Sequence, residues 1–320
     1  MIKMMHILKL TAILLFFTAA APALLYAKNA EPPSSCPIYA YFDVNGQDPG
    51  MKWFVQNWFD GVLKSGIDEN QKKNMNSLYQ KLFPFRLSVD LLRQNGSAYD
   101  YAVVLDFMTR PEDQQLYILN TFKQLLYGGA QSVSQKAYKN YNYWFNPANT
   151  KTDVLNVCGR IDSNLVITNE KKNFLKIVDD NKDRTKVLTA SPQYGKMVKL
   201  AKKADGIIYF NNAGRQFTGV LKEFEKKSGI TLLLSIDVIR AVIVSLDIVD
   251  EKTARGEFIF DCSDESFIED VVDDAEFLWE AISRKINSPE LKITRKVTKD
   301  RNTVRLNFTI TGIKQLGKIF

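Results

Sequence analysis

Three stretches of this chain place apolar residues at every second position, and each is followed by a second stretch that repeats the alternation. That pattern demands paired β-strands. Leu87, Val89 and Leu91 fall on one side of an extended chain, and Tyr101, Val103, Leu105 and Phe107 match them after Asn95-Gly96-Ser97. Keeping the two apolar sets opposite each other requires a three-residue loop, which sets Val89 against Val103 and Arg86 against Asp106. A two-residue loop would put Tyr101 opposite Asp90 and mix the faces. Val242, Val244, Leu246 and Ile248 are matched in the same way by Phe258 and Phe260. Leu291, Ile293 and Val297 are matched by Val304, Leu306, Phe308 and Ile310 across Lys299–Asn302. Alternation of this kind predicts antiparallel sheet, one face covered and the other wet.

Helical periodicity lies between the hairpins. Phe267, Val271, Ala275, Leu278, Ile282 and Ile286 form an apolar stripe, opposed by Glu265, Glu269, Asp273, Glu276 and Glu280. Ser266 with Glu269 predicts a capping box. Pro111, followed by Glu112 and Asp113, opens a helix Pro111–Tyr127 that Gly128-Gly129 closes.

In chain order the elements fall into two similar halves, 38–168 and 206–320, joined by a helical bridge over 169–205 with helices Glu170–Val178 and Ser191–Lys203. The first half reads as strand Ile38–Val44, helix Trp53–Lys64, hairpin Phe85–Phe107, helix Pro111–Tyr127 and the strands of 133–145 and 154–168. The second reads as strand Gly206–Asn211, helix Gln216–Lys227, hairpin Ala241–Cys262, helix Asp264–Ile286 and hairpin Leu291–Thr311. The predicted fold is α+β, β-α-β-β-α-β-β repeated, each half an antiparallel sheet with helices on one face. A local echo points to duplication: Phe59–Ile67 beside Gly219–Lys222 and Ser228–Ile230.

This order is similar to that of a family of bacterial exported proteins catalogued only as a domain of unknown function. The resemblance is carried by Val157-Cys158-Gly159-Arg160-Ile161-Asp162-Ser163-Asn164-Leu165-Val166-Ile167-Thr168-Asn169 before a helix. It continues in Leu188-Thr189-Ala190-Ser191-Pro192-Gln193-Tyr194, a second helix and the strand Gly206–Asn211. It implies the element order and export, and brings no activity, cofactor or catalytic residue.

Residues 1–27 have the form of a secretory signal. A short n-region with Lys3 and Lys9 precedes an apolar run Leu10–Leu25, and small-residue cleavage options appear at Ala21-Pro22-Ala23 or Ala27. Uncleaved, residues 10–25 would anchor the chain to the inner membrane and leave the remainder outside it. Residues 28–37, with Pro32-Pro33-Ser34-Ser35, form a tether. The expected location is therefore periplasmic or extracellular. Cleavage would leave 41 of the 43 basic residues against 36 acids, a net charge of +5. That mild excess suits weak attraction to anionic surfaces and excludes a nucleic-acid footprint. Cys36, Cys158 and Cys262 would allow one bridge and a leftover thiol in an oxidising compartment. The alternation Phe258, Phe260, Cys262 makes Cys262 a buried free thiol.

His6 is the single histidine and lies in the leader. Without it, Ser-His-Asp and Cys-His catalysis and imidazole metal sites are excluded. Gly312 to Lys318 matches P-loop spacing, but Ile319 stands where a magnesium-binding hydroxyl belongs. Asp179-Asp180-Asn181-Lys182-Asp183 imitates the start of a calcium loop, yet Arg184 and Ala190 replace its glycine and glutamate. No catalytic residue, cofactor or metal ligand is assigned. Carboxylate catalysis would need two acids about 5–10 Å apart in a cleft, drawn from Asp90, Asp106, Asp247 and Asp250, with Asp106 tied to Arg86.

Two surfaces remain as candidates for binding. One is aromatic: Tyr138, Tyr141, Tyr143 and Trp144, with Phe145, separated by amides and Lys139. Rings beside amides suit sugar or peptide surfaces, and equally suit a strand packing its rings into a core. The other is the outward face of hairpin 291–311, where Lys292, Lys296 and Arg305 stand among Thr294, Asn307 and Thr309. Those cations suit an acidic partner, and edge-strand lysines also block unwanted pairing. The expected function is a non-enzymatic exported protein that binds an envelope protein or glycan through a sheet face or edge. A carboxylate-based hydrolase or glycan-processing enzyme, and a passive small-molecule carrier, are the alternatives.

Overall fold

The alternating stretches form strands, and their pairing follows the apolar match. The computed structural model describes residues 38–44, 49–53, 73, 85–95, 98–106, 110–128, 133–149, 155–180, 196–197, 199, 204–212, 236–285 and 291–313. In β2 (Phe85–Asn95) and β3 (Ala98–Asp106), Val89 stands opposite Val103 and Arg86 opposite Asp106. The device that sets this register differs from the expected three-residue loop. Asn95 already pairs with Ala98, and the extra residue is Leu92, bulged between the pairs Leu91↔Tyr101 and Arg93↔Asp100. A bulge and a longer loop shift the register by the same one residue, so matched faces cannot distinguish them.

The remaining strands are β1 (Ile38–Val44), β4 (Ser134–Tyr138), β5 (Tyr141–Phe145), β6 (Val157–Ile161), β7 (Asn164–Thr168), β8 (Gly206–Asn211), β9 (Ile239–Ile248), β10 (Thr253–Cys262), β11 (Lys292–Asp300) and β12 (Thr303–Thr311). Phe258 faces Val244 and Phe260 faces Val242, while Ile293 faces Ile310 and Val297 faces Leu306, as the alternation requires. Three of the tight connections place a non-glycine residue in left-handed backbone: Lys139, Asp162 and Arg301 have φ of 51°, 51° and 46°.

The twelve strands of the described residues form a single antiparallel sheet in the order β11-β12-β10-β9-β8-β1-β2-β3-β7-β6-β5-β4. Instead of two separate sheets, β1 and β8 pair directly, Ala40 opposite Ile208, and fuse the halves at a central seam. Outward from that seam, one side runs β1-β2-β3-β7-β6 and the other β8-β9-β10-β12-β11. The first side then continues into β5 and β4, a hairpin with no counterpart on the second among the described residues. Helices Trp53–Lys64 and Gln216–Lys227 and the echo at 59–67 and 219–230 lie outside the described residues, except for Trp53.

Helices cover both faces, which corrects the expectation of one. α1 (Glu112–Tyr127) rests on β6 and β5: Glu112 pairs with Arg160 at 2.8 Å, and Lys123 lies 4.0 Å above the Trp144 ring. α3 (Ile268–Lys285) rests on β12, where Trp279 packs on Phe308, ring centroids 5.0 Å apart. Residues directly opposite on neighbouring strands share a face, and one unbroken series of partners runs from Phe308 through Gly256, Leu246, Gly206, Phe42, Leu87, Leu105 and Leu165 to Arg160. α1 and α3 therefore lie on the same side. α2 (Lys171–Asp180) lies on the other. Its Phe174 and Ile177 close a core with Ala102, Val104, Tyr143, Val157, Ile161 and Val166. On that side of the second half, Met197 closes a core with Tyr209, Ala241, Ile243 and Ile259. α2 thus packs onto β3, β6 and β7, and helix Ser191–Lys203 lies outside the described residues except for Lys196, Met197 and Lys199.

Local sequence explains the helix ends. Pro111 precedes α1 and Gly128 receives it, as expected. The predicted Ser266–Glu269 box is replaced by Asp264, whose Oδ1 accepts from the Ser266 amide at 2.8 Å and from the Ser266 hydroxyl at 2.9 Å. Those donors hold the Asp264 carboxyl below the usual carboxylate range. A one-turn 3-10 segment, Glu265–Phe267, then leads into α3.

Candidate binding surface

The two predicted surfaces lie at opposite ends of the sheet. Among the described residues β4 and β11 are its two edges, eleven strand steps apart, or roughly 50 Å at the usual ~4.8 Å spacing. They cannot form one site.

At the β4–β5 end, period two splits the aromatic run between faces. Tyr143 is buried against Phe174, ring centroids 5.1 Å apart, and Tyr138, Tyr141 and Phe145 pack beside it under α2. The Tyr138 hydroxyl donates to Asp179 at 3.1 Å and that of Tyr141 to Asp162 at 2.8 Å. Lys139, in the turn, pairs with Asp179 at 2.7 Å, so the carboxylate that opened the calcium-like run is already engaged. Trp144 points to the other face, donating to Gln135 Oε1 at 3.2 Å beneath Lys123. Tyr127 of α1 donates to the carbonyls of Trp144 and Asn156, at 2.8 and 2.9 Å, and burial pushes its phenol up. These rings and hydroxyls hold the hairpin to two helices. Tyr143 is a core residue.

The β11 end differs between its faces. Toward α3, Arg295 reaches Glu276 at 3.2 Å and Glu280 at 3.8 Å, and Lys299 pairs with Glu269. The acidic face of α3, expected to be solvated, is partly met by cations of the next strand. On the other face Lys292, Thr294, Lys296, Thr298 and Asp300 are all exposed. Neither Lys292 nor Lys296 forms an ion pair among the described residues. Arg305, predicted to stand outward with them, is engaged: its Nη1 lies 3.0 Å from Oε2 of the buried Glu257. Arg255, exposed on the same face of β10, adds a cation that the sequence reading did not single out.

Two buried acids on that face also escaped the sequence reading. Glu257 and Asp261 flank Ile259 on β10, and all three are buried. Ser245 lies 3.5 Å from Glu257. Asp261 takes Lys196 Nζ at 2.5 Å and Arg240 Nε at 2.8 Å. Arg240 can reach it because it is bulged: Asp261 pairs with Ala241 and Cys262 with Ile239, leaving Arg240 between them. The available signal was β9 itself. Ile-Arg-Ala-Val-Ile-Val-Ser-Leu-Asp-Ile is nearly continuous apolar sequence, as expected of a strand covered on both faces.

Cys158 and Cys262 are both buried free thiols, on β6 and β10, seven strand steps apart. Burial pushes Cys158 up to about 12 and Cys262 up to about 11, with Asp261 raising the latter further and Arg240 and Lys196 opposing it. Cys36 lies outside the described residues. Of the acids considered for catalysis, Asp106 and Asp247 are four strand steps apart, roughly 19 Å. Asp250 sits in the β9–β10 turn, accepting from the Lys252 amide at 2.7 Å, and the side chain of Asp90 lies outside the described residues, as does that of Arg86. Among the described residues no group of three or more His, Cys, Asp or Glu is placed to hold a metal ion. No helix among them is long and apolar enough to cross a membrane.

Comparison with protein-family models, with curated proteins and with solved structures finds no match to this chain.

Proposed function

We propose that this is an exported, non-enzymatic protein that binds a macromolecular partner at the cell envelope through the open face and outer edge of β10-β12-β11. One observation carries the reading. On the helix-facing side of β11 the cations Arg295 and Lys299 have acids from α3, whereas Lys292 and Lys296 on its open side have none among the described residues. Exposed cations set among threonines cost nothing in desolvation and attract an acidic surface over about one Debye length, ~10 Å at 0.1 M salt. The leader at 1–27 and the tether at 28–37 support export, and residues 10–25 would hold an uncleaved chain at the inner membrane. The shared order β1-β2-β3-β7-β6 and β8-β9-β10-β12-β11 supports duplication of one ancestral unit, with β4–β5 inserted into the first copy.

The test is retention of the exported protein by envelope material. Lys292→Glu, Lys296→Glu and Arg255→Glu, combined, should abolish retention while thermal unfolding is unchanged. Lys136→Glu on the opposite edge strand should leave it intact. Equal retention of both variants would contradict the reading.

A further inference from the structure

The molecule holds its own example of what fits this edge. Counted from the seam, β6 and β11 occupy the same place, each the fifth strand and each hydrogen-bonded inward to the strand that follows it in the chain. The outer edge of β6 is filled by β5, antiparallel, with Tyr143 opposite Gly159 and Phe145 opposite Val157. The outer edge of β11 has no strand among the described residues.

We propose that an extended acidic segment of the partner adds to β11 as a thirteenth strand, antiparallel, in the position that β5 takes beside β6. This rests on the binding reading above and names the partner's chemistry. An added strand gains main-chain hydrogen bonds along the edge, and its side chains alternate between the same two faces as those of β11. On the open face it meets Lys292 and Lys296, about 13 Å apart at ~3.3 Å per residue. Acids four residues apart on the partner strand match that spacing. On the helix side it meets the half-buried Ile293 and Val297, so the intervening positions are apolar. Arg295 and Lys299 on that side already hold α3 acids and ask for no further charge.

The same lysines select against other occupants. A second copy of β11 would bring lysines to lysines in the registers that set Lys292 opposite Lys292 or Lys296, the usual way an edge strand is kept from pairing with itself. The register centred on Lys296 would set Lys292 opposite Asp300 and makes dimerisation an outcome of the test. A glycan lying on the open face would find no ring to stack on, since no residue on that face of β11 or β12 is aromatic.

The experiment uses the full exported chain and a short labelled peptide with glutamates four residues apart and valines and threonines between them. Fluorescence anisotropy should show saturable binding at low salt. Lys292→Glu with Lys296→Glu should weaken it roughly five- to tenfold, as expected for two cross-strand charge pairs. The same variant should gain binding to the peptide in which lysines replace the glutamates. Methylating the peptide's backbone nitrogens should abolish binding, because strand addition needs its amides. Binding that survives methylation, or dimerisation of the chain through β11, overturns the proposal. Failure of the peptide together with lysine-dependent binding of an anionic polysaccharide overturns the strand and leaves the broader binding reading standing. If neither ligand binds and envelope retention ignores the lysines, both fall.

Discussion

Glu257, in the middle of β10, is buried to all but 1% of its surface, and Arg305 of the neighbouring strand reaches it at 3.0 Å from the solvent side. The arginine covers a carboxylate that would otherwise stand beside Ile259 without a counter-charge on β12. Removing one member of such a pair exposes the desolvation cost of the other. Arg305→Ala should destabilise the protein by about 2–4 kcal/mol, and Glu257→Leu with Arg305→Leu should recover most of that. Urea unfolding of the single and double variants decides the matter. Equal losses in both would show that the pair stabilises on balance.

Buried thiols tie stability to alkaline pH. The folded chain holds the protons of Cys158 and Cys262, whose values rise from 9.0 to about 12 and about 11, while the unfolded chain releases them near 9. This contribution is complete below pH 9 and is lost as pH rises from 9 through 11 and beyond. Denaturation midpoints should fall across that window. Cys158→Ala with Cys262→Ala should flatten the fall, and an unchanged slope would contradict the assignment.

Gly159 leaves room for the helix above it. A Cβ there would meet the Phe174 ring at 2.5 and 2.7 Å. Gly159→Ala should cost about 1–3 kcal/mol through overpacking. The same substitution made in a Phe174→Leu background should cost less. A purely additive thermal-shift cycle would mean that the glycine is needed for some other reason.

Arg301 carries a φ of 46°, a region that L-residues with a Cβ enter at a cost of about 1 kcal/mol. Arg301→Gly should therefore stabilise the β11–β12 hairpin by roughly 0.5 kcal/mol despite glycine's greater unfolded-state freedom. Calorimetry should record a small rise in melting temperature, and a fall would show that the side chain contributes more than its backbone costs.

Where one periodicity dominated, the sequence was legible. Val89 and Val103, Phe258 and Val244, and Val297 and Leu306 are neighbours because their faces had to match. The bulge at Leu92 was hidden because it produces the same register as a longer loop. The second covered face was harder to see. Ala241, Ile243 and Ile259 occupy positions that alternation alone assigns to solvent, and what covers them is Met197, distant in sequence. The fusion of the halves through β1 and β8 also had no local signal, since neither strand's own pattern names its second neighbour. At the candidate surface, Lys292 and Lys296 were visible as outward residues of an alternating strand. Arg305 was visible in the same way, but its partner Glu257 sits 48 residues away and appears only when β10 and β12 are placed side by side.

The central claim is that partner contact is concentrated at β11, and a site-by-site crosslinking map in the living envelope tests it most directly. A photoreactive residue would be placed in turn at Thr294 and Lys296 on β11, at Gln135 and Lys136 on β4, and at Phe277 on the exposed side of α3. The account predicts a discrete adduct at Thr294 and Lys296, absent at the other three positions, and lost when Lys292 is changed to Glu. Adducts concentrated on β4, or spread evenly over all five positions, would contradict it.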